Sequence, residues 1–200
     1  MSEFEHVYVP GEEPSTLLLL HGTGGDENDL VPLGRQLAPG AGLLSPRGKV
    51  LENGVSRRFF RRLAVGDLDI PDLLGQTDEL AAFLQTSAQI RGFDPARVTA
   101  VGFSNGANIA VSLLFRHPGL LEAAALLRPM LPYEPETGLD LNGTRAFIAA
   151  GGQDPLVPAV QSRELATRLE TAGAEVTVEL NEAAGHNLSR SDLAALASWL

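Results

Sequence analysis

The feature that most restricts the fold of this 200-residue chain is an alternation of short apolar runs with longer segments of helical periodicity. The runs that we predict as strands are 16–20, 42–45, 97–103, 121–127, 145–150 and 175–180. The segments that we predict as helices are 29–37, 78–90, 105–117, 160–171 and 193–200. Strands that alternate with helices form a mainly parallel sheet covered on both faces. The sequence therefore predicts a three-layer α/β fold, with residues 1–200 as one domain.

Two long segments of the chain fit neither a strand nor a helix. Residues 47–72 hold five arginines around Phe59 and Phe60, and residues 128–142 hold three prolines. Long irregular connections inside a compact domain usually line or cover a site. Each segment leaves the carboxyl end of a predicted strand, which is where parallel α/β sheets bind their ligands. We therefore expect both segments to border the functional site.

A Gly-x-Ser-x-Gly pentapeptide, Gly102-Phe103-Ser104-Asn105-Gly106, lies at the junction between a predicted strand and a predicted helix. The pattern is typical of a sharp, strained turn that exposes a nucleophilic serine at the end of a strand. The glycines are needed because larger residues would crowd the neighbouring strand and helix. The pattern alone could arise by chance, but its position at a strand–helix junction is the context that the chemistry requires. The sequence therefore predicts Ser104 as a nucleophile.

A serine hydroxyl is a poor nucleophile at neutral pH and needs a base within hydrogen-bond reach. In chains with this serine turn, an acid and then a histidine follow the serine. His186 lies in a loop between the last predicted strand and the last predicted helix. His117 also follows Ser104, but it ends the helix that the serine begins, roughly 20 Å away. His186 is therefore the predicted base.

Asp154 is the predicted acid that orients this base. It follows the predicted strand 145–150 in a Gly-Gly-Gln-Asp-Pro turn, which would hold its carboxylate at the carboxyl edge of the sheet. Its role would be to fix the imidazole tautomer and to stabilise the imidazolium. A plain helix-capping role for this aspartate stays open. Three further acids are weaker candidates because none directly follows a strand: Glu134, Glu136 and Asp140.

The negative charge that develops during acyl transfer requires hydrogen-bond donors. We predict the backbone N–H of Asn105, directly after the nucleophile, and that of Thr23 in the loop 21–25. Glycines in this loop would let the backbone approach the reacting oxygen closely. A phosphate-binding loop is excluded by spacing, because Glu27 stands where the third glycine would be. We expect His21 to brace the loop rather than to carry a proton.

Five blocks of the chain together resemble the bacterial phospholipase/carboxylesterase family, relatives of the acyl-protein thioesterases. The blocks are His21-Gly-Thr-Gly-Gly-Asp-Glu-Asn-Asp29, Arg58-Phe-Phe60, Gly-Phe-Ser104-Asn-Gly, Gly-Gln-Asp154-Pro-Leu-Val-Pro158 and Gly-His186. They follow the family's order, and five ordered blocks are far more specific than one motif. The resemblance implies an α/β-hydrolase fold without a large cap domain, and neither cofactor nor metal. It also implies hydrolysis of small carboxylic esters, or of thioesters as well, through an acyl-enzyme on Ser104.

The resemblance carries roles onto individual residues. It implies catalytic roles for Ser104, Asp154 and His186, and oxyanion roles for Thr23 and Asn105. We assign the acyl pocket to the two irregular segments, through Phe59, Phe60, Met130 and Leu131. The Arg57–Arg62 stretch departs from the acyl-protein thioesterases, which have less charge there. This departure favours a smaller or acidic acyl group, although an arginine run is more often a solvated face.

Other functions compete with this hypothesis. A non-catalytic ligand-binding protein with the same fold would be expected to lose a member of the predicted triad, and this chain keeps all three. Dienelactone, amide or lysophospholipid hydrolysis uses the same chemistry, and the sequence does not separate these activities because loop shape selects the leaving group. A metal-dependent hydrolase is disfavoured, because the four histidines are dispersed and form no His-x-x-x-His pair.

Composition limits the partners of the chain. It has 15 Lys and Arg against 25 Asp and Glu, a formal net charge of -10. Such a surface repels phosphates and anionic lipids, so we expect a small-molecule ester as partner, with neither nucleic acid nor stable membrane association. The absence of cysteine excludes disulfides. The acidic stretch 1–6 has no apolar run, so we expect no secretory signal and a cytoplasmic location. A homodimer is left open.

Overall fold

The computed structural model describes residues 4–200, so residues 1–3 of the predicted signal-free N-terminus lie outside the described residues. The strands are β1 (His6–Val9), β2 (Thr16–Leu20), β3 (Gly42–Pro46), β4 (Val50–Glu52), β5 (Ser56–Arg58), β6 (Arg62–Ala64), β7 (Asp67–Leu68), β8 (Val98–Phe103), β9 (Ala123–Leu127), β10 (Arg145–Gly151) and β11 (Glu175–Asn181). The helices are α1 (Val31–Leu37), α2 (Ile70–Arg91), α3 (Asn105–Arg116), α4 (Ala159–Thr171) and α5 (Arg190–Trp199), and Pro95–Arg97 forms a 3₁₀ turn.

Seven strands form the central sheet in the order β1-β3-β2-β8-β9-β10-β11. β1 is antiparallel to β3, and every other neighbouring pair is parallel. β8 is the middle strand, and its register pairs Gly102 with Leu20 of β2 and Phe103 with Leu127 of β9. The carboxyl ends of these strands therefore lie level at one edge of the sheet. The loops that follow them open on this edge, where parallel sheets bind their ligands.

Helices cover both faces of the sheet. Successive side chains of a strand point to opposite faces, so each strand contributes to both layers of the core. In β2, Leu18 and Leu20 pack in one apolar cluster with residues of α2, α3 and α4. Leu17 and Leu19 pack in a second cluster with residues of α1 and α5. The five residues of β2 are all buried, which is why its sequence shows an unbroken apolar run. The predicted three-layer α/β architecture with a mainly parallel sheet is confirmed.

The segment 47–72 is more ordered than the sequence indicates. It forms two short hairpins, β4–β5 and β6–β7, instead of a cap domain. Helix α2 begins at Ile70, eight residues before the predicted start at 78. The side chain of Asp69 accepts the N–H of Asp72 and caps this helix, but Pro71, Asp72 and Gly75 interrupt the apolar spacing of its first turns. The apolar pattern of the sequence also does not predict strand β1, because its four residues lie at the sheet edge and are only partly buried.

The junction between β8 and α3 depends on two close backbone approaches. A Cβ atom at Gly106 would lie 2.0 Å from the carbonyl oxygen of Leu20, and one at Gly102 would lie 2.5 Å from that of Gly106. These contacts are with backbone, which cannot move aside as a flexible side chain would. The two glycines of the pentapeptide therefore let α3 start directly against the sheet.

Replacing Gly106 with alanine tests this packing. We expect Gly106→Ala to lower the free energy of unfolding by about 2 kcal/mol or more, because the added methyl group overlaps backbone of β2. The matched control is Gly75→Ala, in the interior of α2, where a Cβ would meet nothing within 4 Å. That substitution should raise stability by about 0.5–1 kcal/mol. Denaturant unfolding of both variants measures the difference, and equal effects would contradict the close approach.

Candidate active site

Ser104 occupies a strained turn between β8 and α3. Its φ of 51° and ψ of -111° are rare for a residue with a side chain. Backbone hydrogen bonds hold this conformation: the Ser104 N–H donates to the Leu127 carbonyl at 2.8 Å, and the Ser104 carbonyl accepts the Asn108 N–H at 3.0 Å. This conformation places the Ser104 hydroxyl above the carboxyl edge of the sheet, at the first turn of α3.

The three side chains predicted as a triad are hydrogen-bonded in series. His186 Nε2 lies 2.9 Å from Ser104 Oγ, and His186 Nδ1 lies 2.7 Å from Asp154 Oδ2. Because a carboxylate can only accept, the imidazole carries its proton on Nδ1 and offers Nε2 as the acceptor for the serine hydroxyl. This is the arrangement in which a histidine can remove a proton from a serine.

Asp154 is held so that one oxygen is left for the histidine. Its Oδ1 accepts the N–H groups of Leu156 at 2.8 Å and Val157 at 3.0 Å, and the residue is only 7% exposed. The acid loop also lies against the histidine loop, since a Cβ at Gly151 would come within 2.4 Å of the Gly185 carbonyl oxygen. Asp154 therefore closes its own turn with one oxygen and holds His186 with the other. It does not cap the following helix, α4, whose N-cap is Pro158.

Thr23 and Asn105, the predicted oxyanion donors, both border the same cavity as Ser104 and His186. The Asn105 N–H opens α3 and so has no acceptor within the helix. Within residues 4–200, the Thr23 N–H donates no hydrogen bond. Both amides are therefore available to a ligand in the cavity, as stabilisation of an oxyanion would require.

Strand β5 and the residue after it hold both Thr23 and Asn105, which the sequence did not indicate. The Gly24 N–H donates to the Arg57 carbonyl at 2.8 Å, and Arg58 Nη1 donates to Thr23 Oγ1 at 2.6 Å. The Phe59 N–H donates to Asn105 Oδ1 at 2.7 Å. The Arg58-Phe-Phe60 block was the available signal, but the contacts join residues 35 and 46 positions apart. This segment thus positions the start of α3 together with the loop 21–25, which we call the oxyanion loop after its predicted role.

His21 braces the oxyanion loop, as expected. Its Nδ1 donates to the Gly22 carbonyl at 2.7 Å, and its Nε2 accepts the Gly48 N–H at 2.9 Å. Its ring packs against that of Phe59, with centroids 4.7 Å apart. Because Nε2 must accept, the imidazole is neutral, and burial lowers the pKa of His21 below its ordinary value.

The cavity above Ser104 has a volume of roughly 300 Å³. Its apolar wall is formed by Val65, Leu68, Phe103, Met130, Leu156 and Val157. Two arginines, Arg58 and Arg62, form a basic wall beside it. Both irregular segments, 47–72 and 128–142, contribute residues to this lining. The site is therefore a small pocket with one apolar and one cationic side.

Met130 is the one of the four predicted acyl contacts that lines the cavity. Phe59 and Phe60 are completely buried, and both belong to the core cluster beneath the site. Leu131 is partly buried and packs against that same cluster. The assignment of Phe59, Phe60 and Leu131 to acyl contacts is corrected accordingly: hydrophobicity identifies an apolar environment, but it does not distinguish the core from a pocket wall.

Arg58 is not part of a solvated face. It is 4% exposed, and its Nε donates to the Phe60 carbonyl at 3.1 Å. Glu52 lies 3.9 Å from it, but both oxygens of this carboxylate are engaged by Arg62 at 2.8 and 2.9 Å. Burial and the neighbouring charge of Arg62 lower the pKa of Arg58. Two guanidinium groups thus share one carboxylate, which leaves an excess of positive charge at the cavity wall.

No helix within residues 4–200 is long and apolar enough to cross a membrane. No group of three or more His, Asp or Glu side chains within the same residues is arranged to hold a metal ion.

Comparisons with known proteins identify the family and the fold of this chain. The model of the dienelactone hydrolase family matches residues 68–194. MhqD of Bacillus subtilis (strain 168) is 44% identical over 195 residues, covering 98% of this chain and 96% of MhqD. The crystal structure of the Bacillus cereus carboxylesterase has a TM-score of 0.94 and 44% identity, covering 98% of this chain and 92% of that one. A structure of YahD with malic acid has a TM-score of 0.91 and 27% identity, covering 98% and 97%. The predicted resemblance to carboxylesterases and the α/β-hydrolase fold are confirmed.

The neutral state of His21 makes stability depend on pH. Below about pH 6.5 the unfolded chain binds a proton at His21 that the folded chain resists, so the free energy of unfolding falls as pH falls. When the pH is lowered from 7.5 to 5.5, the free energy of unfolding should fall less in His21→Gln than in wild type. The difference between the two losses should be up to about 1.4 kcal/mol. Both proteins keep the other three histidines, so the difference in denaturant midpoints reports His21. Equal losses in the two proteins would refute the bracing by a neutral imidazole.

Proposed function

Because the chain belongs to the dienelactone hydrolase family, we propose that it is a serine esterase that hydrolyses small carboxylic esters through an acyl-enzyme on Ser104. The observation that carries this proposal is the hydrogen-bonded series from Ser104 Oγ through His186 to Asp154, at 2.9 and 2.7 Å. The similarity to the Bacillus cereus carboxylesterase supports the ester as substrate class. Thioesters are included in the proposal, because the same acyl transfer cleaves them.

In the first half of the proposed reaction, Ser104 Oγ attacks the ester carbonyl while His186 Nε2 takes the hydroxyl proton. Asp154 stabilises the imidazolium that forms and does not take the proton itself. The carbonyl oxygen becomes an oxyanion, which accepts hydrogen bonds from the N–H groups of Thr23 and Asn105. The tetrahedral intermediate then collapses to the acyl-enzyme, and the imidazolium gives its proton to the departing alcohol.

In the second half, water replaces the alcohol. His186 removes a proton from the water as it attacks the acyl carbonyl, and the same two amides stabilise the second oxyanion. Collapse of this intermediate releases the carboxylic acid and returns the proton from His186 to Ser104 Oγ. No cofactor is consumed, and the enzyme ends in its starting protonation state.

The shape of the cavity favours a small acyl group. Its volume of roughly 300 Å³ lies at the lower end of the range for small-molecule sites. Met130 and Leu156 offer apolar contacts, while Phe59 and Phe60 are completely buried in the core and do not line the cavity. We therefore propose short-chain esters as substrates rather than lipid-length esters.

Arg58 favours an acyl group that ends in a carboxylate. Arg58 lines the cavity that contains Ser104, and within residues 4–200 its Nη2 donates no hydrogen bond. Its positive charge is only partly balanced, since Glu52 is engaged by Arg62. A carboxylate on the substrate would accept a charge-assisted hydrogen bond from Arg58 Nη2, at a position shielded from water. The similarity to YahD, whose structure was determined with malic acid, supports a small acid as the class of ligand.

Substitutions in the triad test the serine mechanism. We expect Ser104→Ala to lower kcat for p-nitrophenyl butyrate by about 10³-fold or more. We expect Asp154→Asn to lower kcat by at least about 10³-fold, because its amide would favour the wrong imidazole tautomer. In that variant the Asn Oδ1 can still accept the N–H groups of Leu156 and Val157, so the fold should be kept.

Asp140→Asn is the matched control for the acid, since Asp140 is an exposed aspartate in the neighbouring segment. Its activity should equal that of wild type. Labelling of wild type, but not of Ser104→Ala, by a fluorophosphonate probe identifies the nucleophile directly. A wild-type protein that neither labels nor hydrolyses activated esters would refute the esterase function and would favour a non-catalytic binding protein.

A pair of esters of equal length tests the acidic preference. We expect wild type to have a higher kcat/KM for the mono-p-nitrophenyl ester of succinic acid than for p-nitrophenyl butyrate. Arg58→Met should lower the ratio of these two values about tenfold or more, because a charge-assisted hydrogen bond is lost. The ratio is the relevant measure, since loss of the contact to Thr23 would slow both substrates.

Arg57→Met is the matched control for Arg58. The two residues are neighbours in β5, so their side chains point to opposite faces of the hairpin, and Arg57 is absent from the cavity lining. The ratio in this variant should remain that of wild type. An equal ratio in wild type and Arg58→Met would rule out a carboxylate subsite without affecting the esterase proposal.

A further inference from the structure

Arg128 is a buried arginine that the proposed mechanism does not use. It directly follows β9, has a φ of 57°, and its side chain has no exposed surface. Its N–H donates to the Ala149 carbonyl of β10 at 2.8 Å, which anchors the backbone at the edge of the sheet. A positive φ at a residue with a side chain and a fully buried guanidinium both cost folding free energy. The contacts of Arg128 therefore indicate its role.

The guanidinium of Arg128 holds the loop on both sides of His186. Its Nε donates to the Gly185 carbonyl at 3.0 Å, and its Nη2 donates to the Asn187 carbonyl at 3.1 Å. These are the residues immediately before and after the proposed base. The first bond fixes the peptide unit that precedes His186, and the second fixes the unit between Asn187 and Leu188. The loop is therefore held on both sides of the imidazole.

Asp192 in turn holds the guanidinium. Its Oδ2 lies 2.6 Å from Arg128 Nη2, and Asp192 also has no exposed side-chain surface. The same oxygen accepts the Ser189 N–H at 2.7 Å, as part of the capping box that begins α5. The arginine is therefore fixed to β10 through its backbone N–H and to α5 through its carboxylate partner.

Stability is a poor explanation for this ion pair. A buried pair often contributes no more than apolar residues of the same size. Arg128 Nη1 and Asp192 Oδ1 have no hydrogen-bond partner within residues 4–200, so the pair is incompletely compensated as well. What the pair does supply is a planar donor with two nitrogens directed at two carbonyls, and a lysine ammonium cannot reproduce that arrangement.

We propose that Arg128 is a positioning residue: it holds His186 in line between Asp154 and Ser104 by binding the carbonyl groups on both sides of the histidine. The proposal rests on the serine esterase function proposed above. Misplacement of a reacting group by about 1 Å can lower the rate about 10²-fold. A small rotation of the loop 185–187 would therefore lower kcat. Substrate binding would change little, because Arg128 does not line the cavity.

The test compares Arg128→Lys and the double variant Arg128→Met/Asp192→Asn with wild type. The lysine keeps the charge beside Asp192 but cannot bind both carbonyls, and the double variant removes both charges together. For each protein, active sites are titrated with a fluorophosphonate, and kcat per titrated site and KM are measured with p-nitrophenyl butyrate. We expect kcat per site to fall roughly 10- to 100-fold in both variants, with KM within about twofold of wild type.

Hydrogen exchange provides a second measurement that does not depend on activity. Amides of the segment 183–188 should exchange faster in Arg128→Lys than in wild type, while those of β8 and α3 should be unchanged. Arg116→Lys is the matched control: this arginine also binds a carboxylate through two nitrogens, with Asp78, but at the far end of α3. It should leave kcat per site and exchange in the segment 183–188 as in wild type.

The outcomes separate the alternatives. Fewer titratable sites with an unchanged kcat per site would mean that Arg128 only stabilises the fold, and would overturn the proposal. Full activity in Arg128→Lys, or unchanged exchange in the segment 183–188, would overturn the role of the two carbonyl bonds. A wild-type protein that neither labels nor hydrolyses the ester would instead refute the esterase function on which the proposal rests.

Discussion

The constraint on which the rest of the structure depends is the strained turn at Ser104. A residue with a side chain is held at a φ of 51° because its N–H is bonded to β9 and its carbonyl to α3. Gly102 and Gly106 allow this only by bringing backbone into direct contact with backbone. The remaining elements of the site are arranged around this fixed point, since the ends of the neighbouring strands lie level with it.

Loops form the site, but they are bonded to one another rather than free. Arg58 and Phe59 join the oxyanion loop to the start of α3, and the acid loop packs against the histidine loop at Gly151. Arg128 adds a further link, from the end of β9 to both sides of His186. Groups that must meet within about 3 Å for catalysis are thereby held by backbone and guanidinium contacts, which supports preorganisation of the site.

Charge is distributed unevenly in this acidic protein. The net charge is -10, yet arginines face the cavity and the loops that surround it. Arg62 is neutralised by Glu52, and Arg47 near the oxyanion loop binds Glu27, whose pKa it lowers to about 2. Arg58 lacks an equivalent partner. An incompletely balanced guanidinium at the cavity wall is a local feature that would attract a small anionic substrate, whereas the net charge of the protein disfavours large polyanions.

The sequence alone determined what depends on neighbours along the chain. The apolar run 16–20, the Gly-x-Ser-x-Gly turn and the Gly-Gly-Gln-Asp-Pro turn are local patterns, so the central strands and the three side chains Ser104, Asp154 and His186 could be named in advance. Only the tertiary structure decided how Phe59 and Arg58 are used. Aromatic and arginine side chains suit a core, a surface or a pocket equally well, and their place depends on contacts with residues 35 and 46 positions away. For the same reason Arg128 carried no signal in the sequence: the loop that it binds lies 57 residues further along the chain.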